Sequence, residues 1–212
     1  MKILFLAIFI VSTAIHLYAS AKSNKKLRNV TKPFILPSLL GYYCVATSLP
    51  MTSVILALIF SFLGDVLLIP KGVKWFTAGG IAFMVSHAFF IVSYAHNLDI
   101  SKIGIVVAVS AVFVISVIAI FSKLKEYLPK PLFYPMFFYL LLNGAMNCFA
   151  FFRLMSNPCQ GSVITFIGAL LFFISDSCLF FVRFNKNGKQ KTHFWVMLTY
   201  SIGEFLIVLG LI

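Results

Sequence analysis

The chain has 212 residues, of which 61% are hydrophobic and only 10% are charged, and its mean hydropathy is +1.04. Soluble domains carry roughly 25% charged residues, so these values exclude a water-soluble protein. Since an apolar helix of about 20 residues crosses a bilayer, the chain can supply about eight crossings and no sizeable soluble domain.

Apolar runs bounded by charged residues, Pro, Gly and Asn predict the membrane-spanning helices. In chain order, the predicted spans cover residues 2–20, 32–48, 51–69, 75–96, 102–121, 131–152, 161–183 and 193–212. The small residues Ala19, Ser20 and Ala21 after the first span resemble a signal-peptide cleavage site, but the charge distribution described next favours a retained helix. No repeat or low-complexity linker divides the chain. We therefore expect an all-α polytopic membrane protein in which residues 1–212 form a single bundle of about eight transmembrane helices.

The lysines and arginines are distributed unequally between the two sides of the predicted bundle. If the spans alternate in direction, fourteen of the 17 fall on one side: Lys22, Lys25, Lys26, Arg28, Lys32, Lys71, Lys74, Lys123, Lys125, Lys130, Arg183, Lys186, Lys189 and Lys191. The other side holds Lys2, Lys102 and Arg153. By the positive-inside rule the N- and C-termini are then non-cytoplasmic, in the plasma (inner) membrane if the source is bacterial. The net charge of +12 is mostly a topology signal that also attracts anionic lipid, so no nucleic-acid partner is expected.

Acidic residues inside the predicted spans are the strongest functional signal. The chain has only five acids, and Asp99 and Glu126 fall in loops. Asp65, Asp176 and Glu204 lie within spans three, seven and eight. An Asp at a helix centre costs about 2.5 to 3.5 kcal/mol on insertion, so such groups usually face the bundle interior and serve a function.

Further polar side chains recur at helical spacing. Tyr139, Asn143 and Asn147 lie at i, i+4 and i+8 on one face of span six, and Tyr200 and Glu204 share a face of span eight. These stripes predict an interior surface. In membrane bundles, however, Asn and Tyr more often form hydrogen bonds between helices than belong to active sites.

Two more polar residues admit the same two interpretations. His87 lies near the middle of span four, and a lone histidine there is more often a packing residue than a site residue. Lys32, at the start of span two, either anchors the helix at the interface or pairs with a carboxylate or a phosphate. Only for Asp65 and Asp176 does a functional role clearly outweigh a structural one, because structural hydrogen bonding does not require an ionisable group. For Glu204 the two roles are evenly balanced.

Five motifs together resemble the YhhN family of membrane proteins, whose animal members are lysoplasmalogenases. They are TKPFILPSLL from Thr31, FSFLGDVLLIP from Phe60, FMVSHAFFIVSY from Phe83, IGALLFFISDSCLF from Ile167 and LTYSIGEFLI from Leu198. The resemblance extends over nearly the whole chain. It implies a hydrolase that cleaves the vinyl ether bond of a lysoplasmalogen and releases a fatty aldehyde and a glycerophospho-head group.

The resemblance also assigns residues. Asp65 and Asp176 match the acids of two family motifs, His87 matches the family's histidine in span four, and Lys32 matches its early Lys-Pro. Family members tend to carry an amide where this chain has Glu204. The partners implied are a lysophospholipid substrate and membrane lipid, and a homodimer is an assembly that the sequence leaves open.

Vinyl ether hydrolysis needs one protonated carboxyl group and one carboxylate, which Asp65 and Asp176 would supply. The orienting groups would be Lys32, His87, Tyr139, Asn143, Asn147, Tyr200 and Glu204. We expect no cofactor and no metal, since no compact motif such as HExxH is present, although the acids and His87 could hold a divalent ion. The main alternative to a hydrolase is a multi-pass transporter or proton-coupled carrier that uses the same acids. A third interpretation is a lipid-binding or structural membrane protein.

Overall fold

The computed structural model describes residues 1–184 and 192–212, and these residues form eight α-helices and no strand. The helices are α1 Lys2–Ala21, α2 Lys25–Ala46, α3 Thr52–Leu67, α4 Val73–Tyr94, α5 Ile103–Leu124, α6 Phe133–Ser156, α7 Gln160–Phe184 and α8 Thr192–Leu209. Short 3₁₀ turns, Ile100–Lys102 and Lys130–Leu132, precede α5 and α6. The predicted all-α class and the order of the helices are confirmed. Lys186, Lys189 and Lys191, which contribute to the predicted charge asymmetry, lie outside the described residues.

The second helix begins seven residues before its predicted start at residue 32. The side chain of Asn24 accepts a hydrogen bond from the Leu27 amide at 3.2 Å and so caps α2. Pro33, which the sequence suggests as a first-turn residue, therefore lies inside the helix together with Pro37. The longer helix places Lys25, Arg28 and Lys32 at i, i+3 and i+7, on one face.

Among the described residues, five helical segments are long and apolar enough to cross a membrane: Lys2–Ala21, Val73–Tyr94, Ile100–Leu124, Lys130–Ser156 and Gln160–Phe184. The apolar helices Thr52–Leu67 and His193–Leu209 are shorter. The 16 residues of α3 reach about 24 Å, against roughly 30 Å of bilayer hydrocarbon. α2 carries four cations in its first eight residues, so its composition is too polar for it to be counted among the membrane-crossing helices. Length and composition thus support several spans, fewer than the eight predicted.

The helices pack mainly as neighbouring pairs. α1 packs on α2, α3 on α4 and α7 on α8, while α6 contacts α4, α5 and α7. α2 also contacts α3 and α8. α5 is peripheral, because Val106, Phe113, Val117 and Leu124 are its only buried residues. The interior is therefore enclosed by α2, α3, α4, α6, α7 and α8, the helices that carry the candidate polar residues.

Glycines bring α7 and α8 into backbone contact. A Cβ added to Gly168 would lie 2.7 Å from both the Gly203 carbonyl oxygen and the Ile207 nitrogen. A Cβ added to Gly203 would lie 2.9 Å from the Gly168 carbonyl oxygen. This close approach fixes the register of the two helices that carry Asp176, Tyr200 and Glu204.

Candidate functional site: two enclosed aspartates beneath a basic cavity

Asp65 lies in the last turn of α3 and is only 3% exposed. The Lys32 ammonium of α2 contacts its Oδ1 at 3.0 Å, and the Tyr200 hydroxyl of α8 donates to its Oδ2 at 3.0 Å. Both carboxylate oxygens are therefore engaged, one of them by a positive charge. A carboxylate at the negative end of a helix is unfavourable, and Lys32 offsets this cost.

Asp176 lies two turns before the end of α7 and is likewise 3% exposed. The Tyr139 hydroxyl donates to its Oδ2 at 2.5 Å, and the Asn143 amide donates to the same oxygen at 2.8 Å. Asn147 donates to the Asn143 carbonyl at 2.9 Å, one turn further along α6. No described residue donates to Oδ1 of Asp176. The polar stripe of α6 thus faces the interior, as its spacing predicts, and holds this acid through neutral donors.

An aromatic ring lies between the partners of the two aspartates. Nε2 of His87 is 3.8 Å from Oδ2 of Asp176, which is longer than a hydrogen bond. The His87 ring packs against Phe172 at 5.1 Å between centroids, and the Tyr200 ring packs against Phe172 at 5.4 Å. Asp65 and Asp176 are therefore both inside the bundle, and their surroundings meet at Phe172.

Glu204 has a different environment. It lies one turn after Tyr200 on α8 and is fully buried. Neither of its carboxyl oxygens has a hydrogen-bond partner among the described residues. The predicted interior position is correct, but Glu204 lacks the donors that surround the two aspartates.

A cavity of about 350 Å³ opens at the end of the bundle where α2 begins. It is lined by the last turns of α1 and α7, the C-terminal end of α3 and the first turns of α2, α4 and α8, so these helix ends meet as alternating spans require. Its cations are Lys25, Arg28, Lys32, Lys71 and Arg183. Because Lys32 also contacts Asp65, it connects the cavity with the buried acids.

From the sequence, the other cavity cations were predicted only to report topology. The sequence pattern also did not single out His16, whose Nδ1 lies 2.9 Å from the Thr31 hydroxyl, or His193, whose Nδ1 lies 3.5 Å from the Arg28 guanidinium. The spacing of Lys25, Arg28 and Lys32 would have indicated one basic helix face. That signal was hidden because the helix was predicted to begin at Lys32.

Metal binding and a serine nucleophile are two other chemistries that polar residues inside a bundle can support. Within residues 1–184 and 192–212, no three His, Cys, Asp or Glu side chains are grouped closely enough to hold a metal ion. The Ser175 hydroxyl donates to the Val196 carbonyl at 2.9 Å and joins α7 to α8, so it is engaged with the backbone rather than with a base.

These features define a helical membrane protein with two carboxylates enclosed beneath a basic opening. The chain belongs to the YhhN family, whose sequence model matches residues 27–211 and so covers all helices except α1. The resemblance seen in the motifs is thereby confirmed. No curated protein matches the chain, and no solved structure does.

Proposed function

We propose that this protein is a membrane-embedded hydrolase that cleaves the vinyl ether bond of a lysoplasmalogen or a related lysolipid. The single observation that carries the proposal is the pair of enclosed aspartates with different partners: Asp65 contacts a cation, whereas Asp176 accepts only from neutral donors. Membership of a family associated with lysoplasmalogenase-like hydrolases supports it. The products are a fatty aldehyde and a glycerophospho-head group.

The reaction needs a proton on carbon and a water on the adjacent carbon. Asp176 is the acid in this proposal: it protonates the outer alkene carbon, and its Oδ1, which no described residue engages, carries the proton. Asp65, held ionised by Lys32, stabilises the oxocarbenium ion and then accepts a proton from the attacking water. The hemiacetal collapses to aldehyde and alcohol. One water is consumed, and the proton it releases replaces the one that Asp176 donated.

In the proposed topology, the chain crosses the membrane eight times. Both termini are non-cytoplasmic, and the basic cavity lies at the cytoplasmic surface. The shorter helices α3 and α8 fit such a bundle if the bilayer thins locally. α2 fits if its first turns, which carry Lys25, Arg28 and Lys32, lie at headgroup level. A lysolipid would then enter with its headgroup in the cavity and its chain toward the apolar interior.

The direct test is aldehyde release from a lysoplasmalogen by purified protein. Asp65→Asn and Asp176→Asn each remove an acid or base while keeping the side-chain size. Each is expected to lower kcat on the order of 10²- to 10⁴-fold, the usual contribution of general acid–base catalysis. Asp99→Asn is the matched control, because Asp99 is an exposed loop acid.

Folding must be checked for each variant by its elution in detergent and its unfolding temperature. Full aldehyde release by folded Asp65→Asn or Asp176→Asn protein would refute the mechanism. A wild-type protein that turns over no vinyl ether lipid, whatever the headgroup, would refute the activity while leaving the family assignment intact.

A transporter is the second candidate, and Glu204 favours it. This buried acid has no partner among the described residues, and a second cavity of about 180 Å³, which contains Arg153, lies at the end opposite the basic cavity. A proton or ion path would use such an acid between two openings. Substrate uptake by proteoliposomes without any aldehyde formation would favour transport over hydrolysis.

A further inference from the structure

The charge inside the basic cavity determines which kind of headgroup the cavity can bind. Lys32 is paired with Asp65, but Lys25, Arg28, Lys71 and Arg183 make no ion pair with any described carboxylate. Nε of Arg28 is buried and has no hydrogen-bond partner within the described part of the chain. A ligand that brings negative charge would satisfy these groups.

The cavity offers nothing that would bind a cationic headgroup. None of its lining residues among the described ones is an acid, and the sequence has no Asp or Glu between residues 185 and 191. An amine would therefore find no carboxylate and would lie among several like charges. Choline is otherwise recognised by the face of an aromatic ring. Phe76 is the only Phe, Tyr or Trp among the described lining residues, and the Arg183 guanidinium already lies 5.7 Å from its centroid.

A phosphate group suits the arrangement. Guanidinium groups donate in pairs to phosphate oxygens, and lysines add point charge. The volume of about 350 Å³ is large enough for a phosphate and a small polyol, and the lining also includes the apolar residues Leu68, Val196 and Met197. The cavity therefore matches a phosphorylated headgroup with an attached hydrocarbon chain.

We propose that the cavity selects lysolipids whose headgroup is purely anionic, a phosphomonoester or a phosphoglycerol, over the zwitterionic choline and ethanolamine forms. This rests on the proposed function, since it takes the substrate of that site to be a lysolipid. It goes further by naming the headgroup class, and it locates the selection in Arg28, Lys71 and Arg183 rather than in the buried aspartates.

Binding of substrate analogues tests the inference separately from catalysis. Saturated alkyl ether lysolipids of one chain length, carrying phosphate, phosphoglycerol, phosphoethanolamine or phosphocholine, lack the vinyl ether and cannot be hydrolysed by the proposed route. In detergent micelles of fixed composition, the two anionic forms are expected to bind about tenfold more tightly than the choline form. Inorganic phosphate is added as a competitor, to distinguish a lipid headgroup site from a site for free phosphate.

Two charge-removing variants and one control locate the preference. Arg28→Gln and Lys71→Gln are each expected to narrow the gap between anionic and choline lipids by about twofold, because each removes one of the four cations that share a roughly tenfold preference. Lys71 is exposed, so its replacement should not impair folding. Lys26→Gln is the matched control: Lys26 lies on the same helix as Arg28, is exposed and does not line the cavity.

Equal affinity for all four headgroups, tighter binding of choline, or an equal loss in Lys26→Gln would overturn the inference. Full displacement of the lipids by millimolar inorganic phosphate would show a site for free phosphate and would also overturn it. If the anionic preference holds but no vinyl ether lipid is hydrolysed, the proposed function fails and the headgroup site stands. If vinyl ether lipids are hydrolysed without any headgroup preference, the proposed function stands and the headgroup inference fails.

Discussion

At the scale of single residues, the two aspartates are distinguished by the charge of their partners. The Lys32 ammonium 3.0 Å from Asp65 stabilises the ionised form of that group, because a charge-assisted contact in a low dielectric is strong. The donors to Asp176 are a phenol and an amide, which carry no charge. Two carboxyl groups with such different surroundings are suited to opposite roles in one proton-transfer reaction.

Glu204 provides a prediction at this scale. Its oxygens have no hydrogen-bond partner in the described residues, and ionisation of an unpaired acid in an apolar interior is very costly, so Glu204 is neutral there, as an amide of the same size would be. Glu204→Gln is therefore expected to keep the unfolding temperature of the wild type and aldehyde release within a factor of about three, which corresponds to less than about 1 kcal/mol of barrier. Thermal unfolding and turnover are measured on the same preparation.

The comparison for this variant is Asp176→Asn, a carboxyl-to-amide change at an acid whose Oδ2 accepts two hydrogen bonds. If Glu204→Gln lost activity as completely as Asp176→Asn, a third carboxyl group would belong to the catalytic machinery or to a proton path. In that case the transport hypothesis would gain weight.

Most of the polar residues around the aspartates could be predicted, but their partners could not. Tyr139, Asn143 and Asn147 are recognisable because polar groups at helical spacing stand out in an apolar sequence. The pairing of Lys32 with Asp65 and that of Tyr200 with the same acid depend on how α2, α3 and α8 pack, which no local pattern encodes. These partners come from helices far apart in the chain.

At the scale of helices, boundaries were harder to predict than helix identity. The error at α2 arose because Pro usually marks a helix start, whereas here Asn24 caps the helix two turns earlier. Pro33 removes one backbone donor, which leaves the Asn29 carbonyl without its helical partner. Asn29 is exposed and lines the cavity, so water can satisfy that oxygen. The polar first turns of α2 therefore tolerate Pro33.

The contact between α7 and α8 gives a prediction about packing. Gly168→Ala would place a methyl group 2.7 Å from backbone atoms of α8, and backbone cannot rotate away as a side chain can. The helices must separate, so we expect a loss of about 1 to 3 kcal/mol of stability, typical of overpacking. Because Asp176 lies two turns further along α7, aldehyde release should fall as well. Unfolding temperature in detergent and turnover report the two effects.

Gly104→Ala is the control for this substitution. Gly104 is also helical, but nothing lies within 4 Å of a Cβ added there, so the change should be neutral or slightly stabilising. Equal unfolding temperatures for Gly168→Ala and Gly104→Ala would show that the backbones of α7 and α8 are not in tight contact at Gly168.

At the scale of the whole molecule, the predicted charge asymmetry agrees with the arrangement of the helix ends. The cavity brings together the ends of α1 and α7 and the starts of α2, α4 and α8, so the basic loops between them lie at one end of the bundle. At the other end, where cations are few, the Asp99 backbone amide donates to the Ser156 hydroxyl at 2.8 Å and joins the loop between α4 and α5 to the end of α6. Alternation of the spans could be predicted because it follows from apolar runs alone. The cavity could not, because it forms only when these helix ends and the end of α3 meet.

The orientation of the molecule can be tested with a native cysteine. Cys159 is exposed in the loop between α6 and α7, at the end opposite the basic cavity. Hydrogen bonding with Ser162 holds the pKa of the Cys159 thiol below its ordinary value, so more of it is the reactive thiolate at neutral pH. A variant with Cys44, Cys148 and Cys178 replaced by alanine keeps this single reporter. In intact cells, a membrane-impermeant maleimide is expected to label it.

A cysteine-free protein with Lys74→Cys is the reporter for the basic end, since Lys74 is exposed beside the cavity. The positive-inside rule places it in the cytoplasm, so it should be labelled only after the cells are permeabilised. As pH rises, labelling of Cys159 should begin at lower pH than labelling of Ser101→Cys, an exposed position at the same end without the Ser162 contact. Labelling of Lys74→Cys but not Cys159 in intact cells would reverse the orientation, and the basic cavity would then receive its lipid from the outer leaflet.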